Sequence, residues 1–206
     1  MKFLKITLLL LVVISLTSCA SGYKTIQPKT INFLSNTVEK GVKLEYKYDL
    51  LYKKYEKNEV KKGVKLVAIK VTNESDKSLM FGRDVKLVYA NGTEVPVMEN
   101  DRVFKKLKQS PASYLLFLLL TPLNLYTTET NPYGVQETNW SFPVGVVLGP
   151  GLAAGNLLAA SSANSNFKSE LMIYDLNGML INPGETKYGL IGIKTDSPEA
   201  LRLKVE

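Results

Sequence analysis

From Gln109 to Phe167 the chain runs for 59 residues with two charged side chains, Glu129 and Glu137, whereas residues 19–108 and 168–206 hold 41 charges in 129 positions. A folded surface is solvated through its charged and polar groups, so a long stretch nearly free of charge must pack in protein or meet an apolar environment. This contrast sets the organisation of the chain before any motif is read. A charged frame, 19–108 and 168–206, carries an uncharged insert, 109–167.

The frame has the period of β structure. Val42, Leu44, Tyr46, Tyr48, Leu50 and Tyr52 alternate with Lys43, Glu45, Lys47, Asp49 and Lys53, with Leu51 as an interruption. Successive side chains of a strand point to opposite faces, so the spacing predicts a one-sided strand over 42–52. Val64 to Thr72 is apolar on both faces and reads as a central strand. Val85–Tyr89 and Val95–Met98 flank Asn91-Gly92, a pair suited to the positive φ angles of a tight hairpin turn. Pro96 sends the second of these strands to an edge or a bulge. The pattern returns with 171–176 and 179–181 around Asn177-Gly178, then Pro183-Gly184, Tyr188–Thr195 and Leu201–Val205. About seven or eight short strands with regular turn signals predict a mainly β chain, an antiparallel β-sandwich.

In the insert, Ser110-Pro111 offers an N-cap and a first-turn proline, and the apolar Ala112–Thr121 predicts a helix that Pro122 stops. Asn124–Ser141 is a polar stretch carrying Tyr126, Tyr133 and Trp140. Pro150 is expected to open a second helix to about Ala163, in which Gly151, Gly155, Ala159 and Ala163 recur every four residues and would admit another helix closely. The insert thus reads as an apolar α-helical hairpin. Neither apolar run reaches ~18 residues without a proline, which disfavours a bilayer-spanning hairpin.

The N-terminus supplies an address. Lys2 and Lys5 flank the start of an apolar run, Ile6–Leu16, interrupted by Thr7 and Ser15, the pattern of a secretory signal too short to span a bilayer as a helix. Leu16-Thr17-Ser18-Cys19 resembles the lipobox of bacterial lipoproteins. The resemblance implies removal of residues 1–18, diacylglycerol transfer to Cys19, the only cysteine of the chain, and acylation of the new N-terminus. Ala20, where no Asp stands, resembles lipoproteins sent on to the outer membrane. Residues 19–40 would then be an N-terminal tether and 41–206 the folded domain. Within it, GVKLVAIKVTNESDKSL (63–79) and INPGETKYGLIGIKTDSPEALRLKVE (181–206) resemble the small immunoglobulin-like domains common in uncharacterised bacterial envelope lipoproteins. That resemblance implies an immunoglobulin-like sandwich and brings no catalytic residue.

Composition removes several function classes. The chain has no His and one Cys, which excludes imidazole-based triads, thiolate zinc clusters and CxxC redox chemistry. Loss of Lys2 and Lys5 lowers the formal charge from +7 to +5, a balance suited to anionic lipid or saccharide surfaces; nucleic acid is not an expected partner outside the cytoplasm. Glu129 and Glu137 could serve as a glycosidase pair only at a separation that sequence does not set, and a solvated loop is the plainer reading. Lys53, Lys54, Lys57, Lys61, Lys62 and Lys65 read as a solvated strand connection, or as a contact for lipid phosphates. Tyr126, Tyr133, Trp140 and Phe142 either pack within their loop or form an interfacial or sugar-stacking belt. No metal-ligand spacing, phosphate loop or nucleophile motif appears, so no cofactor, metal or catalytic residue is expected. The expected function is that of a non-enzymatic, lipid-anchored protein of the bacterial envelope with a structural or interaction role. It would meet the membrane through Cys19, and an envelope partner or a second copy through Leu115, Leu118, Trp140, Gly151, Gly155 and Ala159. The alternative is a binding module holding a small apolar ligand or glycan between sandwich and insert.

Overall fold

The run Val64–Asn73 (β3) is buried on both faces, as its unbroken apolar sequence requires, and the main sheet is built around it. The computed structural model describes residues 19–33 and 35–206; the expected signal segment and the lipobox-like Leu16, Thr17 and Ser18 lie outside them. The chain is mainly β with antiparallel pairing. The main sheet has five strands, β1 (Ser35–Glu39), β2 (Val42–Lys47), β3, β10 (Thr186–Lys194) and β6 (Val97–Met98), in the order β1-β2-β3-β10-β6. Two short ladders accompany it, β5 (Val85–Tyr89) with β11 (Leu201–Val205) and β4 (Leu79–Met80) with β9 (Leu180–Ile181). Val42, Leu44, Val67, Ile69 and Val71 from the main sheet share one apolar core with Val85, Leu87, Leu201, Leu203 and Val205 from the β5–β11 ladder.

Period two decides which side chains enter that core: Val67, Ile69 and Val71 do, and Val64, Leu66 and Ala68 are buried on the opposite face of β3. Helices α1 (Lys54–Lys62) and α2 (Asn100–Leu107) lie against β3. Gly192 on β10 permits the approach of α2, because a Cβ there would stand 2.2 Å from Cγ2 of Val103. The third helix, α3 (Val144–Ile173), is 30 residues long and contains Pro150.

The two sequence motifs of the frame interlock. The Asn73 N–H donates to the Glu185 carbonyl at 2.9 Å and the Gly184 N–H to the Asn73 carbonyl at 2.7 Å. The Asn73 side chain, fully buried, donates to the carbonyls of Lys77 and Ile181 and accepts from the Ser75 N–H and hydroxyl. Thr-Asn-x-Ser-x-Lys therefore closes one turn while seating the Pro-Gly-Glu turn against it. Asn91-Gly92 turns the chain as expected, with Gly92 at φ 82° and the Tyr89 N–H donating to the Thr93 carbonyl. Pro96 separates that turn from β6, an edge strand of the main sheet.

Several sequence expectations are corrected. The strand over 42–52 ends at Lys47, and Asp49 and Lys53 adopt positive φ. The lysine-rich segment forms α1, capped by Gly63 at φ 58° with its N–H on the Glu59 carbonyl, because Tyr55 and Glu59 lie one turn apart on the buried face. Residues 171–176 form no strand: Leu171 continues the helical spacing of Phe167 and Glu170, so α3 runs through Ile173 before the Asn177-Gly178 turn. The expected tether holds β1, an edge strand of the main sheet. The insert is no simple helical hairpin. It comprises a 3-10 helix over Pro111–Leu120, a β-hairpin of β7 (Leu125–Thr130) and β8 (Gln136–Phe142), and the first part of α3, which begins at Val144 rather than at Pro150.

The chain divides into two compact units: residues 110–163 with 19–22, and residues 23–109 with 164–206. The first stands against the expected insert of 109–167.

Candidate functional site

The charge-poor unit is organised by a period of three. A 3-10 helix places residues i and i+3 directly above one another, so Pro111–Leu120 presents three straight rows. One row, Tyr114, Phe117 and Leu120, packs with Ala153, Ala160 and Leu152 of α3. The other two carry Leu115 and Leu118, and Leu116 and Leu119; all four leucines are exposed, Leu116 and Leu119 at 67% and 74%. Gly145 and Gly149 allow the seating, since a Cβ at Gly145 would stand 2.1 Å from the Leu120 carbonyl oxygen and one at Gly149 2.8 Å from Oγ1 of Thr121. Val146, Val147 and Leu148 beside them are exposed.

Cys19 belongs to this unit and is exposed. Its neighbour Ala20 packs against the same cluster as Tyr114 and Phe117, and the Ala20 N–H donates to Oδ1 of Asn156 at 2.5 Å. The stripe named from sequence divides: Gly151, Gly155 and Ala159 are exposed, with nothing within 4 Å of a Cβ at either glycine, whereas Ala163 is buried. The small residues that admit a close neighbour are Gly145 and Gly149, which that four-residue spacing passed over.

The aromatic residues sit on or beside the β7–β8 hairpin. Leu125 faces Phe142 and Thr127 faces Trp140 across the ladder, and the rings of Trp140 and Phe142 stack with centroids 5.5 Å apart. Tyr126, Tyr133, Trp140 and Phe142 are exposed, so the loop does not bury its aromatics. Glu129 and Glu137 are direct cross-strand partners, and Glu137 accepts from the Asn131 amide at 2.9 Å.

The sheet unit contributes two buried carboxylates that sequence reading did not single out. Glu170 accepts from the Tyr23 hydroxyl and from the N–H groups of Ile26 and Gln27 at 3.0 Å, fastening the segment after Gly22 to α3. Burial, and then the hydrogen bond to Glu170, holds the Tyr23 hydroxyl far above the usual phenol range. Glu59 is 1% exposed and accepts from the Leu66 N–H at 2.7 Å, with Lys65 Nζ at 3.9 Å. Burial pushes its carboxyl up to about 7, against the opposing effects of the Leu66 N–H and Lys65. Both residues sit at core-facing helical positions, and the signal for each was a lone acid on the helix face shared with an aromatic, Phe167 or Tyr55.

Among the described residues, no group of three or more His, Cys, Asp or Glu side chains is placed to hold a metal ion. A cavity of about 140 Å³ in the sheet unit is lined by Phe81, Leu190, Glu99, Asn100 and Asp175 among others. By length and composition α3 is the one described helix apolar enough to cross a bilayer, yet Asn156, Asn164 and Glu170 along it hydrogen-bond other protein groups. No protein-family model, curated protein or solved structure matches the chain.

Proposed function

We propose that this protein is a non-enzymatic, lipid-anchored component of the bacterial cell envelope with a structural or interaction role, held at the outer membrane through acylated Cys19. The observation that carries the reading is the place of Cys19. The lone cysteine, preceded by Leu-Thr-Ser, is exposed within the unit that also exposes the leucines of the 3-10 helix and is almost free of charge. Two or three acyl chains give stable anchoring where a single chain is marginal. The sheet unit is read as an immunoglobulin-like sandwich, supported by its antiparallel strands, the core shared by two ladders and the interlocked Thr-Asn-x-Ser-x-Lys and Pro-Gly-Glu turns. No specific observation favours the alternative, a binding module holding a small apolar ligand or glycan between sandwich and insert.

The reading is tested by expressing the full chain and its Cys19→Ser variant in a Gram-negative host supplied with a labelled fatty acid. The unsubstituted chain takes up label and fractionates with the outer membrane, and Cys19→Ser takes up none. Equal labelling of the two would overturn the assignment.

A further inference from the structure

Tyr114, Phe117 and Leu120 supply the row of the 3-10 helix that packs within its own unit, whereas Leu115, Leu116, Leu118 and Leu119 remain exposed, Leu116 and Leu119 most of all. A helix apolar on every side is stable where every side meets apolar matter. We infer that the two open rows enter the acyl-chain region of a phospholipid bilayer, so that this helix lies in the membrane plane as a second attachment beside Cys19. The inference rests on the lipid-anchor reading for its source of lipid.

Four features select lipid over another occupant. From Ser110 to Thr128 there is no charged side chain, so no desolvated charge opposes entry. The backbone of the 3-10 helix satisfies most of its hydrogen bonds internally, the condition for residence in hydrocarbon, whereas the hairpin's outer edges do not and are confined to the headgroup level. Ten residues at ~2.0 Å rise make a rod of roughly 20 Å, suited to lying in the interface rather than crossing it. The Ala20 N–H on Asn156 and the packing of Ala20 against the cluster that holds Tyr114 and Phe117 also make Cys19 leave the protein from the unit that carries the leucine rows, so its acyl chains bring that unit to the bilayer. A partner protein meeting those rows would need an apolar groove brought to the point where the acyl chains leave.

The test uses the processed protein from its host, reconstituted in phosphatidylethanolamine–phosphatidylglycerol vesicles whose acyl chains carry bromine. Acylation consumes the Cys19 thiol, so Leu116→Cys, Leu119→Cys or Thr93→Cys each supplies one site for a fluorophore, the last at the exposed Asn91-Gly92 turn. Fluorophores at 116 and 119 are expected to be quenched severalfold more than at 93. Equal quenching at all three positions overturns the inference. So does a fluorophore at 116 or 119 that is shielded from aqueous iodide but untouched by bromolipid, which would assign the rows to a second copy or another protein. The mass of the same purified chain reports separately on the anchor. If Cys19 proves unmodified, the labels are placed in the Cys19→Ser background and vesicles are added from outside, and quenching at 116 and 119 still decides the leucine rows.

Discussion

Among the described groups with displaced titrations, Glu59 alone crosses the neutral range. Its carboxyl titrates near 7 in the folded chain, against ~4.3 in an unfolded one. The folded state therefore binds the proton more tightly, and the associated stability, full below the unfolded value, is lost as pH rises through about 7. A shift of this size corresponds to on the order of 3 kcal/mol. With no His in the chain, Glu59→Gln should flatten the fall in urea midpoint between pH 5 and pH 8. An unchanged slope in that variant would place the carboxyl in water. Glu170 makes a separate prediction, since its oxygens hold Tyr23, Ile26 and Gln27. Glu170→Ala leaves buried donors unpaired and should cost about 1–3 kcal/mol, with faster hydrogen exchange at the Ile26 and Gln27 amides. Exchange there that matches the unsubstituted chain would contradict the fastening.

At the scale of elements, glycine positions report where neighbours approach. Gly192 faces Val103 across the contact of β10 with α2, so Gly192→Ala forces a displacement and should destabilise by about 1–3 kcal/mol. An unaltered melting temperature would show that α2 can move aside. Strands with one apolar face, such as Val42–Lys47 and Leu201–Val205, announced themselves through period two, and Asn91-Gly92 marked its turn. The helix Lys54–Lys62 did not, because its core-facing positions are Tyr55 and Glu59 and six lysines between Lys53 and Lys65 dominate the composition. The 3-10 helix was legible as a helix between Pro111 and Pro122. Its period was not, since a run of leucines fits 3.0 and 3.6 residues per turn alike. Residues 171–176 read as a strand because Leu, Met and Ile suit either state, and only the buried spacing of Phe167, Glu170 and Leu171 marks the end of α3.

At the scale of the molecule, an anchor on Cys19 has little slack. Ala20 is held by Asn156 within one unit, and Tyr23, three residues on, is held by Glu170 within the other. The segment read from sequence as a tether is thus fixed at two points and continues into β1, so an acylated Cys19 would be followed at once by residues held within each unit rather than by a long free linker. The charge-poor segment that first divided the sequence becomes, in this account, the part of the protein that faces lipid. That placement depends on the chemistry at Cys19. Mass spectrometry of the N-terminal peptide of the chain purified from a Gram-negative host is the most direct measurement. The account predicts a peptide that begins at Cys19 and carries a diacylglyceryl group and an amide-linked acyl chain. An N-terminal peptide in which Cys19 retains a free thiol would contradict it.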